Sequence, residues 1–69
     1  MDLRTIVGRN IRRLRDERGI AQDALAHDAD LHVTYLSGIE NGRRNITLVV
    51  LQRLADSLGV PPAELLSDK

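Results

Sequence analysis

The chain has no cysteine, no tryptophan and no phenylalanine, and its single aromatic side chain is Tyr35. Without thiols, neither disulfides nor thiolate metal sites can staple the fold. A core must therefore come from Leu, Ile, Val and Ala, and 69 residues lie near the lower range in which such a core suffices. Two prolines and five glycines are too few for a loop-rich architecture; the composition fits a compact all-helical bundle. No apolar run approaches membrane-spanning length, and Met1 leads directly into a charged helical pattern rather than a signal peptide. The expectation is one soluble, cytoplasmic domain over residues 1–69, in keeping with the missing cysteines.

Catalytic groups are equally scarce. His27 and His32 are the only histidines; five residues apart and without cysteine, they make a poor metal site. His27 reads as a surface residue. No set of nucleophile, base and orienting group can be built from these side chains, which argues against an enzyme. No metal, cofactor, small-molecule ligand or membrane is expected.

Charge is present but balanced, with ten basic and ten acidic residues. Nine of the ten basic residues are arginines, and six of them (Arg4, Arg9, Arg12, Arg13, Arg15 and Arg18) precede Gly19. Arg43 and Arg44 form a second basic block, with Asp23, Asp28 and Asp30 between the two. A dipolar surface of this kind holds a phosphate backbone only if the fold brings its basic groups together.

Periodicity and punctuation place five helices. The first runs from about Leu3 to Arg18, with Leu3, Val7, Ile11 and Leu14 on one face and Gly19 as its stop. The second covers about Gln22 to Ala29, burying Leu25, Ala26 and Ala29. The third spans about Val33 to Asn41, with Gly42 as a left-handed C-terminal cap. Thr47 N-caps the fourth, whose stripe is Leu48, Leu51, Leu54, Ala55 and Leu58 before Gly59. Pro61 and Pro62 start a short fifth helix around Ala63 to Leu66.

Within this series, Gln22 to Gly42 has the layout of a helix-turn-helix, whose second helix enters the DNA major groove. On a helical wheel, Leu36 and Ile39 mark the buried side of the third helix, flanked by Val33, while Thr34, Ser37 and Gly38 cluster opposite. Ser and Thr hydroxyls bond base edges or phosphates, and a bare glycine permits close approach. Glu40 falls within the apolar stripe, and a buried carboxylate requires a partner. Arg15 lies at the edge of the first helix's apolar face, so an Arg15–Glu40 ion pair tying the first helix to the third is expected.

The run IRRLRDERGIAQDALA, the ending Ile39-Glu40-Asn41-Gly42 and the Leu-Ala-x-x-Leu-Gly-Val block at 54–60 resemble the Cro/phage-repressor-like, or Xre-type, helix-turn-helix domain of bacterial and phage transcription regulators. The resemblance extends from about Val7 to Leu66. It implies a five-helix lambda-repressor-like fold, and a homodimer that binds double-stranded DNA at a two-fold operator. It also implies the Arg15–Glu40 pair. Carried over by position, Val33, Thr34, Ser37 and Gly38 would read bases; Gln22, Asn41, Arg43 and Arg44 would contact phosphate. His32, at the start of the third helix, is a further phosphate candidate. A dimer seam is expected near the C-terminal end, drawn from Val49, Val60, Leu65 and Leu66. The segment GRRNITL and the lack of a second domain are similar to controller proteins of restriction–modification systems.

Three positions depart from the family pattern. Ala21 and His32 stand where Ser or Thr usually caps the second and third helices, each lost cap costing about 1 kcal/mol. Asp30 replaces the usual turn glycine. A protein-interaction or antitoxin-type module that keeps this fold with weak DNA binding is the alternative function, because fold alone does not settle function.

Overall fold

The computed structural model describes residues 2–68. Asp2 begins the first helix as its N-cap, accepting the Arg4 backbone N–H at 2.9 Å. The Arg4 guanidinium, at 2.7 Å, and secondarily that backbone bond hold the Asp2 carboxyl at a pKa of about 2, well below its ordinary range. Five helices follow: α1 Leu3–Glu17, α2 Gln22–Asp28, α3 Val33–Glu40, α4 Leu48–Leu58 and α5 Pro62–Leu65. Their ends lie within a residue or so of the sequence expectation, the usual latitude for fraying termini.

One device ends four of these segments. At Gly19, Asp30, Gly42 and Gly59 the chain turns left-handed, and the next residue donates its N–H back across the last helical turn. Leu31 N–H reaches Ala26 C=O at 2.8 Å, as Arg43 N–H reaches Gly38 C=O at 2.9 Å. Asp30 thus does the work of a glycine with φ 59°, a conformation that Asp tolerates better than most residues. Thr47 caps α4 by accepting the Val50 N–H at 3.1 Å. Ala21 and His32 provide no side-chain cap to α2 and α3.

All five helices contribute to one core, whose fully buried large side chains are Ile11, Leu25, Leu36, Ile39, Leu54 and Leu65. The helix α1 packs on α3, α4 and α5, while α2 packs on α3 and α4. Ala26, Ala29 and Ala55 are buried too, and their small side chains let these short helices close on one another. The folded chain measures 29 × 20 × 20 Å. No helix among the described residues is long and apolar enough to cross a membrane.

Two expected stripe residues lie outside the core: Leu3 is 58% and Leu48 82% exposed. Each is the first residue of its helix. A helical side chain leans over the turn preceding its own Cα, and at that position there is no such turn to cover.

Two contacts within α1 position the neighbouring helices. A Cβ on Gly8 would fall on the Ile39 carbonyl oxygen and 2.7 Å from that of Glu40, so α1 crosses the end of α3 at backbone contact. Asn10 is buried, and its Nδ2 donates to the carbonyls of Leu65 at 2.8 Å and Ser67 at 2.7 Å. These bonds satisfy carbonyls at and just beyond the end of α5, where no following helical turn supplies a donor.

Candidate nucleic-acid interface

The apolar residues Leu25 and Ala26 of α2, its C-cap Ala29, and Leu36 and Ile39 of α3 are buried in the shared core, which leaves one side of α3 facing outward. Val33 is 43% exposed, Thr34 is exposed, and Ser37, Gly38 and Tyr35 are half-buried. The outward face therefore carries a methyl-bearing hydroxyl, a second hydroxyl and a small apolar side chain. Such groups can bond base edges and touch a thymine methyl.

The angle of α3 is fixed from beneath by a charged network. Arg15 Nε donates to Glu40 Oε2 at 2.8 Å, and Arg15 Nη2 to Glu40 Oε1 at 3.0 Å, a two-point pairing. Arg15 Nη1 donates to the Ile20 carbonyl at 2.9 Å. The Glu40 side chain is 3% exposed and that of Arg15 13%. Hydrogen bonding to Glu40 raises the Arg15 pKa above its ordinary value, which keeps the guanidinium charged. No buried side-chain N or O atom among the described residues lacks a partner.

Gln22 enters this network, which its sequence position did not reveal. Its Nε2 donates to Glu40 Oε1 at 3.1 Å. The residue opens α2 opposite the end of α3, so one of its two amide hydrogens is used inside the protein, and only the other remains for a phosphate. Asn41 likewise donates inward, from Nδ2 to the Ser37 carbonyl at 2.9 Å, while staying exposed beside α3. His32 is exposed at the N-cap of α3.

The fold also resolves the charge balance. Arg4 pairs with Asp2, Arg13 with Glu17 and Arg15 with Glu40, and Arg18 lies 4.0 Å from Glu17. Among the described residues no acidic side chain lies within ion-pair distance of Arg43 or Arg44. Uncompensated positive charge thus follows α3 directly, although the net charge of the chain is zero.

Arg44 does not extend freely into solvent. Its guanidinium carbon lies 5.4 Å from the centre of the Tyr35 ring, within cation–π range. Its stem runs over Gly38, where a Cβ would stand 2.9 Å from Arg44 Cγ. Gly38 is therefore covered by Arg44 rather than open for base reading. The i, i+3 spacing of Tyr35 and Gly38 was the available signal, since it puts both on one side of α3.

The expected dimer seam also requires correction. Leu65 is wholly buried in its own core, and Val60 is half-buried against it. Leu65 is the last residue of α5 and Leu66 its C-cap, about 100° further round, and Leu66, 42% exposed, is the one turned out. Val49 is 61% exposed. Leu3, Leu48 and Leu66 line an apolar groove with Val7, Ile46 and Leu51. No group of three or more His, Cys, Asp or Glu among the described residues could hold a metal.

Five helices, a left-handed turn between α2 and α3, and an outward α3 followed by two arginines with no acidic side chain within ion-pair distance among the described residues define a helix-turn-helix domain. The family model described as helix-turn-helix matches residues 11–65, and the chain belongs to that family. It is 43% identical over 67 residues to the uncharacterized HTH-type transcriptional regulator y4dJ of Sinorhizobium fredii, covering 97% of this chain and 87% of that protein. The control protein C.MunI of Mycoplasma is 40% identical over 68 residues, with 97% and 92% covered. Among solved structures, the restriction–modification controller protein C.AhdI of Aeromonas hydrophila superposes with a TM-score of 0.87 at 37% identity, covering 90% of this chain and 94% of that one.

Proposed function

We propose that this chain is a sequence-specific transcription regulator that binds a two-fold operator as a homodimer, in the manner of a controller protein. The observation that carries the reading is the outward face of α3, with Thr34 exposed and Ser37 half-buried, beside two arginines that no acid neutralises. Val33, Thr34 and Ser37 read bases. Arg43, Asn41, the second amide hydrogen of Gln22 and His32 hold phosphates, and these contacts fix the register of the protein on the duplex. Arg44 adds positive charge to the same side. The kinship with control proteins supports a regulatory rather than an enzymatic role. Selection from random duplexes followed by gel shift across salt concentrations tests the reading. Thr34→Ala or Ser37→Ala is expected to change base preference without lowering the melting temperature. Arg43→Ala should weaken all sequences alike and reduce the salt slope by about one. Absence of selective binding at low salt would favour the interaction-module alternative.

Dimerisation is supported by the apolar groove of Leu3, Leu48 and Leu66 and by the exposed Val49. A protomer 29 Å long, paired about a two-fold axis, suits recognition helices set about 34 Å apart on one side of the duplex. Leu48→Asp changes a side chain that is 82% exposed and should leave the monomer folded. Sedimentation should then show a monomer, with operator affinity lost. A variant that remains dimeric would move the seam elsewhere.

A further inference from the structure

The three residues Gly38, Arg44 and Tyr35 form a unit that neither phosphate neutralisation nor helix packing explains. Gly38 sits mid-helix in α3, where glycine is a poor helix former. Its neighbours show what the glycine permits. A Cβ there would stand 2.9 Å from Arg44 Cγ, 3.2 Å from Nε and 3.6 Å from Cδ. Any side chain would force Arg44 Cγ aside and crowd its Nε, while Cδ would stay at ordinary contact. Beyond Gly38, the guanidinium lies over the Tyr35 ring at 5.4 Å. An arginine needed only for its charge requires no such seat.

We infer that Gly38 is a positioning residue for sequence reading: its bare Cα seats the Arg44 stem, Tyr35 holds the guanidinium, and the arginine borders the exposed face of α3 as a fixed arm. The inference rests on the DNA-binding reading above and gives Arg44 a further role within it. At about 100° per residue, Gly38 lies next to Thr34 around the helix and Tyr35 lies beyond Gly38. The seated arm therefore runs beside the Thr34 edge of the face. A free arginine samples many rotamers and pairs with any phosphate. Held in place, its planar fork offers parallel N–H donors to two acceptors at a set position. In the major groove the O6 and N7 edge of guanine presents that acceptor pair. The base class assigned to the Arg44 arm is thus a guanine flanking the bases that Thr34 meets.

The test has one readout on the protein and one on DNA. Arg44 side-chain protons above an aromatic ring resonate upfield. In Gly38→Ala this displacement is expected to collapse towards that of a solvated arginine, with the melting temperature not lowered. Preference for the selected operator over random duplex should fall about tenfold, with affinity for random duplex and its salt slope kept. Arg44→Lys should lose the same preference while retaining the salt slope, because lysine keeps the charge without the fork. The inference is overturned if Gly38→Ala leaves the ring-current displacement in place, or if the displacement vanishes and preference is unchanged. A parent protein without sequence preference overturns this inference and the regulator reading together. In the other two outcomes the parent still prefers its operator, which tells the two failures apart.

Discussion

Glu40→Ala is expected to lower stability by about 3 kcal/mol, or roughly 12–24 °C in melting temperature for a domain of this size. The loss has three parts. The Arg15 guanidinium, with a side chain only 13% exposed, loses both of its bonds to the carboxylate. The amide of Gln22 loses its acceptor. The buried carboxylate also leaves a small void beneath α3. Arg15 keeps the Ile20 carbonyl at 2.9 Å and lies 3.7 Å from Asp16, which places the figure at the lower end for a broken buried pair. Removing both partners together is a different matter. Arg15→Met with Glu40→Leu strands no charge, and such apolar replacements are often neutral. Urea unfolding of the single and double variants checks this. A single variant as stable as the parent would show that the network contributes no net stability.

Gly8→Ala is expected to cost about 2 kcal/mol, although the same change on an exposed helix would gain about 1 kcal/mol from helix propensity. The sign is decided by what the methyl meets. It would fall on the backbone carbonyls of Ile39 and Glu40, which, unlike a flexible side-chain tip, cannot move without shifting the end of α3. The helix α1 must then rise from α3, lengthening the Arg15–Glu40 contacts at the same time. Thermal melts give the stability. Changes in the amide and methyl chemical shifts of Ile39 report whether α3 has moved. Equal or higher stability would mean that the two helices part without strain. The contrast with Gly38→Ala is informative, because there the added methyl meets only a side chain.

The Arg15–Glu40 contact was legible in the sequence because it depends on helical periodicity, and the three unusual cap and turn positions because they depart from the pattern of the family the chain resembles. A carboxylate at the angular position of Leu36 and Ile39 must be buried wherever that helix packs, and only Arg15 stood at the edge of a facing apolar stripe. Asp30 follows a helix end at the position where a left-handed residue is required, and its φ of 59° is the consequence. Thr47 preceded an apolar stripe and caps α4.

Other features depend on which elements meet. Gly8 and Asn10 stand in a helical run like any others; their roles arise from the carbonyls of Ile39, Leu65 and Ser67, between 31 and 57 residues away. Leu65 and Leu66 are the same residue type in adjacent positions, and only the docking of α5 on α1 and α4 selects the buried one. Gln22 read as a phosphate ligand because nothing local shows that its amide faces Glu40.

The sequence by itself determined five helices, their stops, the buried side of the first four and the helix-turn-helix over Gln22 to Gly42. Those properties follow from a period of about 3.6 residues and from the φ preferences of single residues. Tertiary structure alone decided how the outward face of α3 is furnished: Arg44 drawn across Gly38 onto Tyr35, Gln22 turned inward, and Arg43 left without an acid. Side-chain reach of several ångströms from neighbouring elements sets these choices, and no local pattern encodes it.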